Sequence, residues 1–270
     1  MSPTLGQLNS NHFTNFVSNL HTEPGAAGGG LARAYARAGA SGVILAARSV
    51  PKLEEVAKEV RSINPSAKVI VTKCDASSDE DNAKLAETVK SEFSGRLDAV
   101  VVNAGYSGPM IPDVVQEAPS DFQNSFDVNV VGPFLAAHYL LPLLMASEKG
   151  AKSFITISSI MASRVSGPYV HVSYAVSKAA MTRLTEMIHE QYGSRGLFSA
   201  SVHPGGDVLV DSPDLVGAFT VWLSKTDAPQ AQRDALTGRF LSCKWDVSEL
   251  EGKYNEILEK DLLKFRVAVD

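Results

Sequence analysis

Residues 173–178 read Ser-Tyr-Ala-Val-Ser-Lys, so that Tyr174 and Lys178 stand four positions apart. Side chains at this spacing on a helix lie on the same face, one turn from each other. Because a nearby ammonium group favours the phenolate, the spacing predicts that the pKa of Tyr174 is lowered toward neutrality. Such a tyrosine can donate or accept a proton at a carbonyl or alcohol oxygen. The pattern is common on surface helices, and its weight therefore depends on the motifs around it.

Four further motifs occur in order along the chain, and three of them stand at the end of an apolar, strand-like run. They are Asn103-Ala104-Gly105, Asn129, Ser158-Ser159 and Pro204-Gly205. Together with Tyr174 and Lys178, this series resembles the short-chain dehydrogenase/reductase family, classical type. The resemblance extends over nearly the whole chain, and the tail around Trp245 resembles fungal members of the family.

Apolar runs alternate with amphipathic segments along the chain. The predicted strands are 43–47, 69–74, 97–102, 154–158 and 198–203, and the predicted helices are 31–38, 51–62, 79–93, 120–145 and 174–191. Alternation of this kind predicts a parallel sheet with helices on both faces, which binds ligands beyond the carboxyl ends of its strands. The fold class is therefore α/β, a Rossmann-like doubly wound sheet in a single domain over 25–270. Residues 1–24 are interpreted as an N-terminal extension, and Ser120 with Gln123 as a capping box for the long helix.

Composition narrows the classes of function. The chain has 270 residues and a formal net charge of −5, which argues against a nucleic-acid partner. Cys74 and Cys243 are its only cysteines, which favours a reducing compartment over a disulfide framework. The first twenty residues contain no continuous apolar stretch, so we expect no signal peptide and no membrane span. The expected location is cytoplasmic, and no metal site is predicted.

The resemblance assigns catalytic roles to four residues. It implies that Tyr174 transfers the proton, that Lys178 lowers the tyrosine pKa and holds the nicotinamide ribose, and that Ser159 polarises the substrate oxygen. The stretch from Ser159 to Tyr174 looks about two residues longer than usual in the family, so that Ser158 is a rival for this role. The fourth residue, Asn129, would anchor a water relay that reaches the lysine.

Proline at position 133 supplies a physical means for that relay. It lacks an amide hydrogen, so the carbonyl of Asn129 loses its helical partner and can hold a water. The alternative is a plain proline kink in the helix.

The resemblance also indicates the cofactor. Asp75 resembles the family aspartate that contacts the adenine amine. Arg48 follows the second strand, where a basic residue can pair with a 2′-phosphate, so NADP is favoured and NAD is less expected. A solvated surface arginine is the alternative interpretation. Further cofactor-binding candidates are Asn103, Ala104, Gly105, Tyr174, Lys178, Pro204 and Gly205.

The glycine-rich loop departs from the family pattern. Residues 21–30 read His-Thr-Glu-Pro-Gly-Ala-Ala-Gly-Gly-Gly, and Gly25, Gly28 and Gly30 are the candidates for a phosphate site at a helix N-terminus. The preceding segment 15–20 is too polar for a buried central strand. The sequence therefore predicts that the first strand is atypical or missing, that the loop is truncated, and that NADP(H) binds weakly.

The most favoured function is NADP-dependent oxidoreduction of a carbonyl or alcohol group on a small or secondary-metabolite substrate. The alternative is a scaffold of this family without redox chemistry, such as a cofactor-free isomerase or cyclase or an inactive binding protein. The long helix is apolar well beyond one stripe, as Phe134, Leu140 and Leu144 illustrate. The remaining apolar face favours a partner, so we expect a homodimer or homotetramer.

Overall fold

The computed structural model describes residues 27–167, 169–205 and 212–266, together with the backbone of 15–19. Seven parallel strands form one sheet in the order β3-β2-β1-β4-β5-β6-β7. The strands are β1 Asn15–Asn19, β2 Gly42–Ala47, β3 Lys68–Lys73, β4 Ala99–Val102, β5 Ser153–Ile157, β6 Phe198–His203 and β7 Arg239–Ser242. The predicted α/β class and parallel sheet are confirmed.

Helices cover both faces of the sheet. They are α1 Ala27–Arg37, α2 Val50–Ile63, α3 Asp79–Phe93, α4 Pro119–Phe126, α5 Gly132–Ala146, α6 Val172–Tyr192, α7 Pro213–Ser224, α8 Gln230–Leu236, α9 Val247–Glu251 and α10 Tyr254–Glu259. Side chains of β2 alternate between two apolar cores: Val43 and Leu45 pack with α1, α2 and α7, whereas Ile44 and Ala46 pack with α3 and α5. This alternation under continuous burial is typical of a parallel strand with a helix layer on each side.

The first strand is present, so of the two expectations, an atypical strand or a missing one, the second is wrong. β1 lies in the middle of the sheet, with Val17 in register with Ile44 of β2 and Val100 of β4. Ladder hydrogen bonds are made by backbone groups, so a polar segment can fill a central position when both neighbours need a partner. Without it, β2 and β4 would each leave an unpaired edge inside the sheet. Since β1 belongs to the sheet, residues 15–19 are part of the domain rather than of an extension.

The long helix also differs from its prediction. Its first segment, α4, begins at Pro119 after the N-cap residue Ala118, and no side chain caps it. Proline is preorganised for the first helical position, and the Gln123 amide donates to the Asp127 carboxylate at 2.7 Å instead of closing a capping box with Ser120. A π-helical segment, Asp127–Val131, joins α4 to α5.

The continuous helix Pro119–Ala146 is long and apolar enough, by composition, to cross a membrane. Half of its most apolar window is buried inside the fold, as expected of a core helix.

Helices α1 and α7 approach each other through glycines. A Cβ at Gly30 would collide with the backbone of Pro213, and a Cβ at Gly217 would collide with the carbonyl oxygen of Gly30. The Asp214 carboxylate also pairs with the guanidinium groups of Arg33 and Arg37, at 2.8 and 2.9 Å. The space beside Gly30 is thus filled by α7, so helix packing requires glycine at this position, and the contact of Gly30 with a cofactor stays a prediction.

We expect Gly30→Ala to lower the free energy of unfolding by about 1–3 kcal/mol, because the new methyl group would overpack a contact between two backbones. Gly29→Ala is the matched control: its methyl would meet side chains and no backbone, namely the Arg33 guanidinium at 3.2 Å and Val56 at 4.0 Å. The control should be neutral or stabilising, since alanine favours a helix by about 1 kcal/mol over glycine. Urea denaturation of both variants measures the difference. Equal stabilities of the two variants would refute this account of the α1–α7 contact.

Candidate functional site

A cavity of about 230 Å³ opens at the carboxyl ends of the central strands. Six of the residues that the sequence singles out line it: Asn103 after β4, Gly105, Ser158 after β5, Tyr174 and Lys178 on α6, and Pro204 after β6. Because all strands are parallel, the residues that follow them collect at one edge of the sheet. The strand order changes direction between β1 and β4, beside this cavity.

Lys178 is buried at the base of the cavity. Its ammonium group donates a hydrogen bond of 2.7 Å to the carbonyl oxygen of Ile157, the last residue of β5. Burial lowers the pKa of Lys178 from 10.5 to about 7. The Nζ atom lies 5.7 Å from the centroid of the Tyr174 ring, so that the two side chains share one face of α6 as the spacing predicts.

The electrostatics of Tyr174 differ from the prediction. Burial raises the pKa of Tyr174, and a hydrogen bond with the Ser159 side chain only partly offsets this. The physical reason is that desolvation penalises both partners: it disfavours the phenolate and also the ammonium that was expected to stabilise it. Near neutral pH a large share of Lys178 is uncharged and exerts no attraction on a phenolate.

The two serines after β5 point in different directions. The Ser158 hydroxyl lies 3.0 Å from the hydroxyl of Thr182 and donates to the carbonyl oxygen of Lys178 at 3.4 Å, so it is turned toward α6. The Ser159 hydroxyl accepts from the Met161 amide at 3.2 Å and also contacts the Tyr174 hydroxyl. The geometry therefore favours Ser159 over Ser158 as the partner of the tyrosine.

Asn129 is fully buried and joins two parts of the site. Its Oδ1 atom accepts from the Tyr106 amide at 2.8 Å, and its Nδ2 atom donates to the Tyr106 carbonyl at 2.8 Å and to the Ser177 hydroxyl at 2.9 Å. These bonds hold the loop after β4 against α6. In the π-helical segment around Asn129, the Gly132 amide bonds to the carbonyl of Asp127, five positions back. That the Asn129 carbonyl holds a water stays a prediction.

Asn103 supplies an unused polar group. Among the residues that the structure describes, its Nδ2 atom is buried and has no hydrogen-bond partner. An unpaired buried amide is costly in a folded protein and calls for a ligand or an ordered water. A Cβ at neighbouring Gly105 would stand 3.4 Å from the Lys178 ammonium, so glycine at this position keeps the cavity open.

Two charged candidates lie at the ends of β2 and β3. Arg48 is exposed, and the Asp75 carboxylate accepts from the amide and hydroxyl of Ser77, at 3.0 and 2.7 Å. Burial acts to raise the pKa of Asp75, but the bonds from Ser77 and the charge of Arg48 outweigh it and leave the pKa lowered. The two side chains are thus close enough to interact.

The remaining candidates lie as follows. Gly28 is buried in the first turn of α1, Ala104 is partly buried between Asn103 and Gly105, and Gly205 has a positive φ of 82° after β6. Gly25 lies outside the described residues.

The sequence analysis misses one residue beside Tyr174. The ring of His171, the N-cap residue of α6, is buried and stacks on the Tyr174 ring with centroids 5.5 Å apart and planes 13° apart. A histidine three positions before the tyrosine, directly ahead of the helix, is the signal that points to it.

Most of the chain is similar to known proteins. A family model described as Enoyl-(Acyl carrier protein) reductase matches residues 25–208. The chain is 31% identical over 262 residues to the short chain dehydrogenase pgmD of Aspergillus terreus, across 88% of this chain and 82% of that protein. It is 32% identical over 263 residues to the short chain dehydrogenase pigC of Monascus ruber, with the same coverage of 88% and 82%.

Solved structures agree on the fold. A short chain dehydrogenase from Salmonella enterica serovar Typhi superposes with a TM-score of 0.76 at 24% identity, across 91% of this chain and 100% of that one. The motif order, the sheet topology and the family model point to one conclusion: the chain belongs to the short-chain dehydrogenase/reductase family.

Proposed function

We propose that this protein is an NADP-dependent oxidoreductase that acts on a carbonyl or alcohol group. The observation that carries the proposal is that Tyr174 and Lys178 line one cavity on the carboxyl edge of the sheet. Ser159 bonds to the Tyr174 side chain, and Asn129 bonds to Ser177 on the same helix. A phenol hydroxyl, a serine hydroxyl and a buried lysine within one pocket are suited to proton transfer at a substrate oxygen.

The residues present fit a nicotinamide dinucleotide. The unpaired Nδ2 atom of Asn103 and the open backbone at Gly105 offer the cavity a donor and room for a ligand. The first turn of α1, with Gly28, would face the pyrophosphate, and Arg48 and Asp75 would meet the adenosine end. When bound, the dinucleotide supplies or accepts the hydride.

The chain's own residues handle the proton. Because burial raises the pKa of Tyr174, its phenol is protonated near neutral pH and is ready to donate to a carbonyl oxygen. Ser159, in contact with the phenol, would hold the same oxygen. Lys178, with its pKa lowered to about 7, can pass a proton onward near neutral pH. Asn129 fixes the loop that borders this path.

Apolar side chains on two loops favour a substrate with an apolar body. Five large apolar residues are exposed on these loops, where an apolar ligand would cover them. They are Met110, Val114 and Val115 in the loop after β4 and Val165 and Tyr169 in the loop before α6. A small secondary metabolite with an aromatic or aliphatic skeleton fits such a surface, and the fungal relatives are consistent with this class.

The alternative of a scaffold without redox chemistry is not favoured. Its support is a defective first strand and a defective glycine loop. β1 occupies the strand's place in the sheet, and residues 21–26 of the loop lie outside the described residues. A cytoplasmic location remains our proposal, supported by Cys74 and Cys243, which are both buried as free thiols.

Members of this family are generally oligomeric, and we propose that α5 and α6 form the subunit contact. A groove of about 370 Å³ runs between them, and its apolar lining includes Leu141 and Leu184. At its rim Phe134 and Met187 are 52% and 53% exposed, a large fraction for such side chains on packed helices. Pairing of this groove with the same groove of a second copy, related by a two-fold axis, would bury these side chains.

We expect the parent protein to be a dimer or tetramer in light scattering at micromolar concentration, and Phe134→Asp to shift it toward the monomer. A carboxylate placed in an apolar contact loses its hydration without gaining a partner. Val114→Asp, which puts the same charge on an exposed loop residue outside the groove, should leave the mass unchanged. A monomeric parent, or equal effects of both variants, would contradict the proposed contact.

Tyr174→Phe should lower kcat by about 10²–10⁴-fold, because it removes the group that transfers the proton. The assay is oxidation of NADPH in the presence of a panel of aromatic and aliphatic ketones. Tyr139→Phe is the control, since its hydroxyl bonds only to the exposed Asp79 carboxylate in the contacts described, at 2.8 Å. Turnover of the Tyr174 variant within a few-fold of the parent would reject the assignment.

Arg48→Ala should weaken NADPH binding by about tenfold or more and leave NADH binding unchanged, because a charge-assisted contact with the 2′-phosphate is worth about 1.5–3 kcal/mol. Calorimetric titration with each nucleotide measures this. Arg61→Ala, which removes an exposed arginine at the far end of α2, controls for net charge. The NADP assignment fails if the parent prefers NADH or if Arg48→Ala weakens both nucleotides equally.

A further inference from the structure

We propose that His203 is a positioning residue for Ser159: its imidazole accepts the backbone amide that follows the serine and so holds the serine hydroxyl toward Tyr174. The inference rests on the proposed role of Ser159 at the substrate oxygen. It concerns a side chain outside the four residues to which the family resemblance assigns a catalytic role.

The sheet sets the position of His203. It is the last residue of β6, it is 6% exposed, and it lies in register with Ser242 of β7. Its carbonyl oxygen accepts from the Cys243 amide at 3.1 Å. The ring therefore projects from a backbone that is held at the carboxyl edge of the sheet.

The imidazole meets the turn that carries Ser159. The Ile160 amide donates to the Nδ1 atom of His203 at 3.2 Å. One position before the serine, the Ser158 amide donates to the carbonyl oxygen of Val202 at 2.8 Å. Ser159 thus lies between two amides that are bound to consecutive residues of β6.

These two bonds restrict the backbone from which the serine side chain projects. Ser159 is extended, with φ and ψ of −154° and 153°, and its hydroxyl accepts from the Met161 amide at 3.2 Å and contacts the Tyr174 hydroxyl. A backbone N–H group without a partner is costly inside a protein. If His203 offered no acceptor, the turn would rearrange to give the Ile160 amide another one, and the serine hydroxyl would move with it.

The contact also defines the form of the ring. A backbone amide can only donate, so the Nδ1 atom must supply a lone pair. A neutral imidazole with its hydrogen on Nε2 has that lone pair, whereas a doubly protonated ring has an N–H group at both nitrogens. The bond to Ile160 therefore requires His203 to be neutral and protonated on Nε2.

The first measurement is made on the parent protein, without turnover. Protein labelled with ¹⁵N in its histidine rings is examined by NMR at mildly alkaline pH, and the His203 signals are identified by their loss in His203→Leu. Long-range ¹H–¹⁵N correlations should show a bare Nδ1 and a protonated Nε2. A ring that carries its hydrogen on Nδ1 would overturn the proposal.

Two variants separate the hydrogen bond from the volume of the ring. His203→Leu keeps much of the volume without an acceptor, whereas His203→Asn is smaller but places an amide oxygen as far from Cβ as Nδ1 is. The leucine variant should lower kcat by about 10–10²-fold with a smaller change in KM, since a misplacement of about 1 Å can cost about 10²-fold. The asparagine variant should lie within a few-fold of the parent. Equal rates of the two variants, or a slower asparagine variant, would show that the ring acts by packing and would overturn the proposal.

His189→Asn is the matched control. This histidine lies on the distal half of α6, outside the cavity, where its Nδ1 atom is 3.2 Å from the Thr237 hydroxyl. Its replacement should leave kcat unchanged. Circular dichroism and elution volume show whether each variant keeps the parent fold and assembly, and if His203→Leu does not fold, the tautomer of the parent and the rate of His203→Asn still decide the question.

A spectroscopic arm separates this proposal from the proposed function. In protein labelled with ¹³C at tyrosine Cζ, the Tyr174 signal at fixed pH reports the contact with the Ser159 hydroxyl, and Ser159→Ala defines the change in chemical shift that follows its loss. His203→Leu should move the signal in the same direction, and His203→Asn should leave it near the parent position. A parent that turns over no ketone but whose Tyr174 signal follows this order would refute the function alone. An active parent whose kcat and Tyr174 signal are unaffected by His203→Leu would refute the role of His203 alone.

Discussion

The hydrogen bond from the buried ammonium of Lys178 to the carbonyl oxygen of Ile157 fixes helix α6 to the end of β5. The other contacts of the site depend on the position of α6, because this helix also carries Tyr174 and Ser177 and follows its N-cap residue His171. Strand pairing places the ends of β4, β5 and β6 side by side. Asn129 then binds the loop after β4 to the same helix. The parts of the site thus share one helix and one sheet edge.

Much of this arrangement could be predicted from the sequence. Parallel strands collect their following residues at one edge, so the motifs at Asn103, Ser158 and Pro204 had to meet there. The spacing of Tyr174 and Lys178 fixes their common face by helical geometry alone. Predictions of this kind succeed because they depend on backbone periodicity and on strand direction, both of which are local or nearly local properties of the chain.

The predictions that failed depend on distant neighbours. The polar segment of β1 is a strand because β2 and β4 need a partner on both sides, which the segment's own residues do not reveal. The packing role of Gly30 could not be predicted either, because α7 contacts it from nearly two hundred positions away in sequence. The shift in the pKa of Tyr174 has the opposite sign to the prediction because burial acts on the phenol and on Lys178 together, and burial is a property of the folded chain.

The same burial explains why one lysine is not enough. A pKa of about 7 leaves Lys178 only partly charged near neutral pH, whereas its buried hydrogen bond keeps it close to the tyrosine. Stabilising a phenolate there requires a charge that is itself stabilised against desolvation. The pKa of Tyr174 is therefore set by its burial and by all of its neighbours, and not by its spacing from Lys178 alone.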